Sequence, residues 1–248
     1  MPSPKPILAL VHGWGMSARV FDPLAELLAD EFELRALNLP GHGGRAALPH
    51  NTLQSWADDL AHQLPERATL LGWSLGGQVA MRAALDHPHT ITRLILLAST
   101  PKFVAAADWE AGMADADLQA FGADLLNDAQ ATLLRFLSLQ TRGMAGQKNL
   151  LQQLRQTLLA APPVDGEALA SGLAMLRDTD LRAELSSLTQ PALVLHGALD
   201  TLTPPGAGNW LAAHIPVAQH IEFSRAAHAL NLSHAEEVAA AIGAFAHD

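Results

Sequence analysis

The run Ala68-Thr69-Leu70-Leu71-Gly72-Trp73-Ser74-Leu75-Gly76-Gly77 decides how the rest of the chain is read. Ala68 to Leu71 is an apolar stretch of strand length, and Gln78 to Leu85 carries a helical period that must stop before Pro88. Between them stands Gly-x-Ser-x-Gly, with Gly72 and Gly76 flanking Ser74. A strand that turns straight into a helix leaves little room for side chains beside the turn, which accounts for both glycines. The apex residue is then held in a strained conformation with its side chain exposed above the sheet. Backbone N–H groups at the helix start would face the place where negative charge develops if Ser74 attacked a carbonyl. Ser74 is the candidate nucleophile, and the amide of Leu75, directly after it, is the first candidate oxyanion donor.

Upstream, Ile7 to Val11 is a continuous apolar run, the pattern of a strand covered on both faces, and it ends in His12-Gly13-Trp14-Gly15. A helix is predicted over about Val20–Ala29, with Leu24, Leu27 and Leu28 on its apolar face. A second strand follows over Phe32–Asn38, then the breaker-rich loop Leu39-Pro40-Gly41-His42-Gly43-Gly44. Thr52 is placed to cap a helix reaching about Leu64, with Leu53, Trp56 and Leu60 as its stripe. Ile91–Ala98 reads as the next strand after the elbow. This alternation predicts an α/β chain with a mostly parallel, doubly wound sheet of about six strands, whose ligands bind at the carboxyl ends.

From Pro101 to Leu185 only helical periodicity is found, with candidates at Asp117–Leu125, Gln130–Leu139, Lys148–Leu159 and Gly166–Met175. So long a stretch is no loop. Residues 101–185 are expected to form a helical lid over the sheet's carboxyl edge, with 1–100 and 186–248 as the core. Alternation resumes with a strand at Ala192–Gly197, a helix near Gly206–His214, a strand near Ala218–Phe223 and a closing helix over Glu236–Ala246.

The 248 residues are 49% hydrophobic and 16% charged, which suits a single large domain with a substantial core. A formal net charge of −10 argues against non-specific nucleic-acid binding. The absence of cysteine excludes disulfides, thiolate metal sites and cysteine nucleophiles, and fits a reducing compartment. The start, Met1-Pro2-Ser3-Pro4-Lys5-Pro6, followed by a run of strand length only, reads as neither a signal peptide nor a membrane span. A cytoplasmic monomer without membrane partners is expected. No Gly-x-Gly-x-x-Gly or phosphate loop is present, and His87-Pro88-His89 has no evident third ligand, so neither a cofactor nor a metal is expected.

A serine nucleophile needs a base to take its proton and a carboxylate to orient that base. Asp200 and His228 each follow a strand after the helical segment, at the same edge as Ser74. Asp178 and Asp180 are rivals for the acid, but they fall before the strand and read as capping or solvated residues. His214, His220 and His234 are rivals for the base, placed near a helix end, within a strand and at a helix start. The second oxyanion donor should come from the loop after the first strand, and the Trp14 amide is assigned there. His12 reads as a buried hydrogen-bonding residue.

One further signal lies in the helical segment. Ala131 to Pro163 carries Arg135, Arg142, Lys148 and Arg155 with no acid, whereas Asp108 to Asp128 holds six acids. Two readings stay open: docking of an anionic partner, or ordinary solvated helix faces.

With these residues in place, the chain resembles the α/β-hydrolases and, within them, the esterases that cleave pimeloyl-[acyl-carrier protein] methyl ester in biotin synthesis. The resemblance is carried by His12-Gly13-Trp14-Gly15, Leu39-Pro40-Gly41-His42-Gly43, Leu71-Gly72-Trp73-Ser74-Leu75-Gly76-Gly77 and Ala98-Ser99-Thr100-Pro101. Arg135-Phe136-Leu137-Ser138-Leu139-Gln140-Thr141, Asp180-Leu181-Arg182, Leu199-Asp200 and Ala226-Ala227-His228-Ala229 extend it. The order Ser, Asp, His is the one these sheets use. The leading strands usual in the fold would be missing or shortened. The resemblance implies serine-ester hydrolysis, with substrate contacts at Trp14, Ser74, Leu75, Phe136, Leu137, Ser138, Leu139, Gln140 and His228. It also implies an acyl-carrier protein as partner, facing Arg135, Arg142, Lys148 and Arg155. The rival readings are a broad carboxylesterase for short acyl esters and a hydrolase-fold ligand receptor.

Overall fold

The computed structural model describes residues 4–247; Met1 to Ser3 of the proline-punctuated start, and Asp248, lie outside the described residues. β1 (Ile7–Val11) leads through a 3-10 turn (Ala18–Phe21) into α1 (Asp22–Leu28), then β2 (Glu33–Leu37), α2 (Leu53–His62), β3 (Ala68–Trp73), α3 (Leu75–Asp86) and β4 (Ile91–Leu97). Four helices follow with no described strand between them: α4 (Asp115–Asn127), α5 (Ala129–Gln140), α6 (Gln147–Ala160) and α7 (Gly166–Asp178). β5 (Ala192–Gly197), α8 (Pro205–His214), β6 (Ala218–Phe223), the short α9 (Leu230–Ser233) and α10 (Ala235–His247) complete the order.

The sheet runs β2-β1-β3-β4-β5-β6, and every strand pair is parallel. The chain therefore moves outward from β1 to β2 and then returns to the other side of β1 with β3. At that reversal the loops after β1 and β3 leave in opposite directions and open a crevice between them. The crevice lies between His12-Gly13-Trp14-Gly15 and the elbow.

Alternate residues of the buried strands feed two apolar layers, as a period of two requires. Ala9, Val11, Leu70, Leu94, Leu96 and Val194 join Trp56 and Leu60 of α2 and Val79 and Met81 of α3. Leu8, Leu10, Leu71, Ile95, Leu97 and Leu195 join Leu24 and Leu28 of α1 and Val238 and Ile242 of α10. α5 contributes to both layers, Leu133 and Phe136 to the first and Leu137 to the second, so it lies across the sheet's edge instead of on one face.

The first helix departs from its sequence reading. α1 opens at Asp22, later than expected, with Pro23, a residue that favours helix starts, in its first turn, and a 3-10 turn precedes it. Leu24 and Leu28, four apart, face the core, while Leu27 is 44% exposed. Thr52 caps α2 as the sequence suggests: its side chain accepts the Ser55 N–H, and Ser55 returns the bond to the Thr52 N–H. No described helix is long and apolar enough to cross a membrane.

The helical segment is pinned at its two ends. Leu181 N–H donates to the Pro101 carbonyl, and Lys102 pairs with Asp180. Arg182 bonds both Asp180 and Asp108 and lies over the Trp109 ring. The Arg182 hydrogen bonds, with help from Lys102, hold the Asp180 carboxyl far below the usual carboxylate range. Asp180 is thus a structural clasp and Asp178 an exposed partner of Arg177, so neither rival aspartate reaches the crevice.

Candidate active site

Ser74 stands between β3 and α3 with φ +56° and ψ −122°, a left-handed conformation that costs a non-glycine residue roughly 1–3 kcal/mol. Its surroundings enforce it. Ser74 N–H donates to the Leu97 carbonyl at 3.0 Å, and the Ser99 hydroxyl donates to the Ser74 carbonyl at 2.9 Å. The flanking glycines answer a need for space. A Cβ on Gly72 would stand 2.3 Å from the Gly76 carbonyl oxygen, and one on Gly76 would stand 2.5 Å from the Val11 and His12 oxygens. Gly13 faces the apex itself, where a Cβ would lie 3.0 Å from that of Ser74.

Asp200 and His228 meet next to the elbow, where the His228 ring lies 5.6 Å from that of Trp73, and the side chains of Ser74, Asp200 and His228 are all buried. His228 Nδ1 donates to Asp200 Oδ2 at 2.8 Å. Burial alone would raise the Asp200 carboxyl, but the His228 charge and hydrogen bond outweigh it and hold it below the ordinary value. His228 Nε2, on the other side of the ring, has no hydrogen-bond partner. The His228 backbone is held from two directions. Its carbonyl accepts the indole N–H of Trp73 at 3.0 Å, and its N–H donates to the Gln140 carbonyl at the end of α5 at 3.1 Å. A serine at such an apex and a histidine with a free nitrogen paired to a buried carboxylate are the groups that acyl transfer requires.

The rival histidines lie elsewhere. His214 is exposed and stacks on Trp210; His220 is half-buried on β6; His234 is half-buried and meets the Ser233 hydroxyl. His87 pairs with Asp58.

A model of the alpha/beta hydrolase family matches residues 8–241. A pimeloyl-[acyl-carrier protein] methyl ester esterase of Nitrosomonas europaea is 42% identical over 94% of this chain and 92% of its own. A second of that name, from Aromatoleum aromaticum, is 40% identical over 96% of this chain and 97% of its own. The chain belongs to the alpha/beta hydrolase family, alongside these esterases. The fold agrees with the solved structure of an esterase from Exiguobacterium antarcticum, at 22% identity with a TM-score of 0.89, covering 99% of this chain and 93% of that one.

In this hydrolase Leu75 opens α3, where the first backbone N–H groups have no partner within the helix. Trp14 is buried opposite. Its indole N–H donates to the Leu169 carbonyl of α7 at 2.9 Å, and its ring meets Phe136 of α5 edge-on at 5.0 Å. Five consecutive helical residues cannot face one site, since each turns about 100° from the last. Phe136 accordingly faces Trp14, while Leu137 joins the opposite apolar layer. The Ser138 hydroxyl donates to the Arg135 carbonyl, Leu139 is half-buried, and Gln140 is buried under the His228 loop.

Of the basic residues, Arg135 pairs with Asp124 of α4 and covers the Phe121 ring. Arg142, Lys148 and Arg155 are exposed and form no ion pair among the described residues.

Sequence reasoning missed Ser99, Thr203 and His196. Ser99 holds the apex carbonyl. Thr203 stands three residues after Asp200, the spacing of a side-chain-closed turn, and that spacing was the available signal. His196, the last residue but one of β5, donates Nε2–H to the Thr203 carbonyl at 2.6 Å.

His12 binds two loops together: Nδ1–H donates to the Gly13 carbonyl and Nε2 accepts the Leu39 N–H. His42 lies 5.1 Å from it, ring to ring. Burial, reinforced by the neighbouring His42, pushes His12 down to about 3. Burial likewise pushes His42 down to about 4, against the carbonyl of Pro40 and the charge of Asp165. An unfolded chain binds protons at both from about pH 6.5 downward, whereas the folded protein does not. Their stabilising contribution is therefore complete above that pH and is lost as pH falls toward the folded values. From pH 7 to pH 5 each histidine should cost about 2 kcal/mol. Urea unfolding at the two pH values measures this, and equal midpoints would show that the pair is not held neutral.

Proposed function

We propose that this protein is a serine esterase that hydrolyses the methyl ester of pimeloyl-[acyl-carrier protein], releasing methanol and the free distal carboxylate in biotin synthesis. One observation carries the reading: a buried Asp200–His228 pair with a free Nε2, tied by the Trp73 indole to the elbow that holds Ser74 in a left-handed apex. The two relatives of that name, matched over nearly their whole length, supply the substrate.

In this mechanism His228 Nε2 takes the Ser74 proton as Oγ bonds to the ester carbonyl carbon. The amides of Leu75 and Trp14 hold the oxyanion; losing one such donor costs roughly 2.7–4 kcal/mol of barrier. The tetrahedral carbon then expels methoxide, which leaves as methanol with the proton from His228. Water, deprotonated by the same nitrogen, attacks the acyl-serine and restores Ser74. The α4–α7 segment acts as the lid, and Trp14, Phe136 and Gln140 line the acyl path beneath it. The lack of cysteine supports a place in the cytoplasm.

The carrier is acidic in this reading, and its dock is the exposed set Arg142, Lys148 and Arg155. Arg135 is left out because Asp124 already neutralises it. Reversing the three exposed charges should lower kcat/KM on the carrier-linked methyl ester by about ten-fold, while a short p-nitrophenyl ester is cleaved as before. Methanol release and p-nitrophenol release measure the two. An equal loss on both would place these residues in lid folding, and no methanol from the carrier-linked ester would overturn the substrate.

A further inference from the structure

Asp200 accepts four hydrogen bonds, and only the one from His228 belongs to the mechanism; of the other three, two come from Thr203. Oδ1 accepts the N–H groups of Leu202 and Thr203 at 2.9 and 3.0 Å. Oδ2 accepts His228 Nδ1–H at 2.8 Å and lies 2.7 Å from the Thr203 hydroxyl. That hydroxyl has one proton and two acceptors in reach, Oδ2 and the Ala98 carbonyl at 3.1 Å. The nearer acceptor carries the charge, and it takes the proton. Thr203 is buried and has no slack, because His196 holds its carbonyl.

We propose that Thr203 is a positioning residue for the Asp200–His228 pair. Its hydroxyl fixes Oδ2 against Nδ1 and draws part of the carboxylate charge away from the imidazole. Oδ2 then has two donors to satisfy, and His228 keeps only a share of it. Without the hydroxyl, the whole charge of Oδ2 bears on Nδ1. The imidazolium formed when Ser74 gives up its proton would be bound more tightly and less well aimed. The hydroxyl oxygen, 3.3 Å from His228 Nδ1, also blocks the ring from turning toward it. The titratable groups around Thr203 are Asp200, His228 and His196 of β5, with His220 of β6 behind His196. Burial keeps both His196 and His220 below the ordinary histidine value.

The proposal rests on the Ser74, Asp200 and His228 roles given above, and the test separates the two. Thr203→Val keeps the shape and removes the hydroxyl; Thr203→Ser keeps the hydroxyl. With a short p-nitrophenyl ester across pH 5 to 9, Thr203→Val should lose about ten-fold in kcat with KM unchanged. Its acidic limb should move up by about half a pH unit. Thr203→Ser should restore both. A Thr203→Val limb that overlays the native one, or a serine variant no better than valine, overturns the proposal. Should the valine variant not fold, Thr203→Ala gives the same comparison with serine. A Ser74→Ala variant with native turnover would instead overturn the triad itself.

Discussion

Replacing Ser74 by alanine is expected to lower turnover of a short p-nitrophenyl ester by about 10⁴- to 10⁶-fold while leaving the melting transition where it is. The two halves of that expectation come from different parts of the residue. The apex is held by its backbone: its N–H goes to Leu97 and its carbonyl receives the Ser99 hydroxyl. Alanine keeps both bonds and adopts φ +56° at much the same cost as serine. What it lacks is the oxygen that forms the acyl bond. The residual rate then comes from oxyanion donors and binding alone. Ester hydrolysis and a thermal melt on the same preparation decide it. Turnover close to native would remove Ser74 from the mechanism, and a collapsed melt would show that the hydroxyl was structural. The native protein must also turn over many esters per molecule without a partner, which a hydrolase-fold receptor would not do.

Much of this was legible from the chain because its signals are local. Two glycines around a serine, an apolar strand before and a helical period after, can only describe a sharp strand–helix turn. Asp200 and His228 followed from position past later strands, since a parallel sheet delivers every such loop to one edge. What the sequence hid depends on neighbours distant in the chain. Acids and bases look segregated between Asp108 and Pro163, yet α4 packs on α5 and brings Asp124 to Arg135, which cancels part of the apparent basic face. The run Phe136 to Gln140 reads as one motif, but the helix sends its members to both apolar layers. Leu27 fits an apolar stripe by count, yet in α1 only Leu24 and Leu28, four apart, reach the core. Thr203 and His196 carry no catalytic pattern of their own. Thr203 could be placed against Asp200 by its spacing, but its approach to His228 and to the Ala98 carbonyl joins residues distant in the chain.

The glycines of the elbow give the second large effect. Gly76→Ala is expected to abolish cooperative folding, a loss of more than about 4 kcal/mol. Gly76 has no left-handed backbone to excuse it; what it lacks is room. Its Cβ would stand 2.5 Å from the carbonyl oxygens of both Val11 and His12, and these belong to the end of β1 and the loop beyond it. Neither can give as a side chain would, because Val11 is paired with both β2 and β3. Relief requires α3 to lift off the sheet, which would open the buried layer around Val79 and Met81 and carry Leu75 away from Trp14. Gly122→Ala is the matched control. That glycine lies within α4, nothing stands within 4 Å of its absent Cβ, and alanine should add about 1 kcal/mol through helix propensity. Urea titration of the two variants separates lost space from lost flexibility. A Gly76→Ala protein that unfolds at the native midpoint would mean that α3 can move without cost, and the close crossing at the elbow would then not be what fixes Ser74.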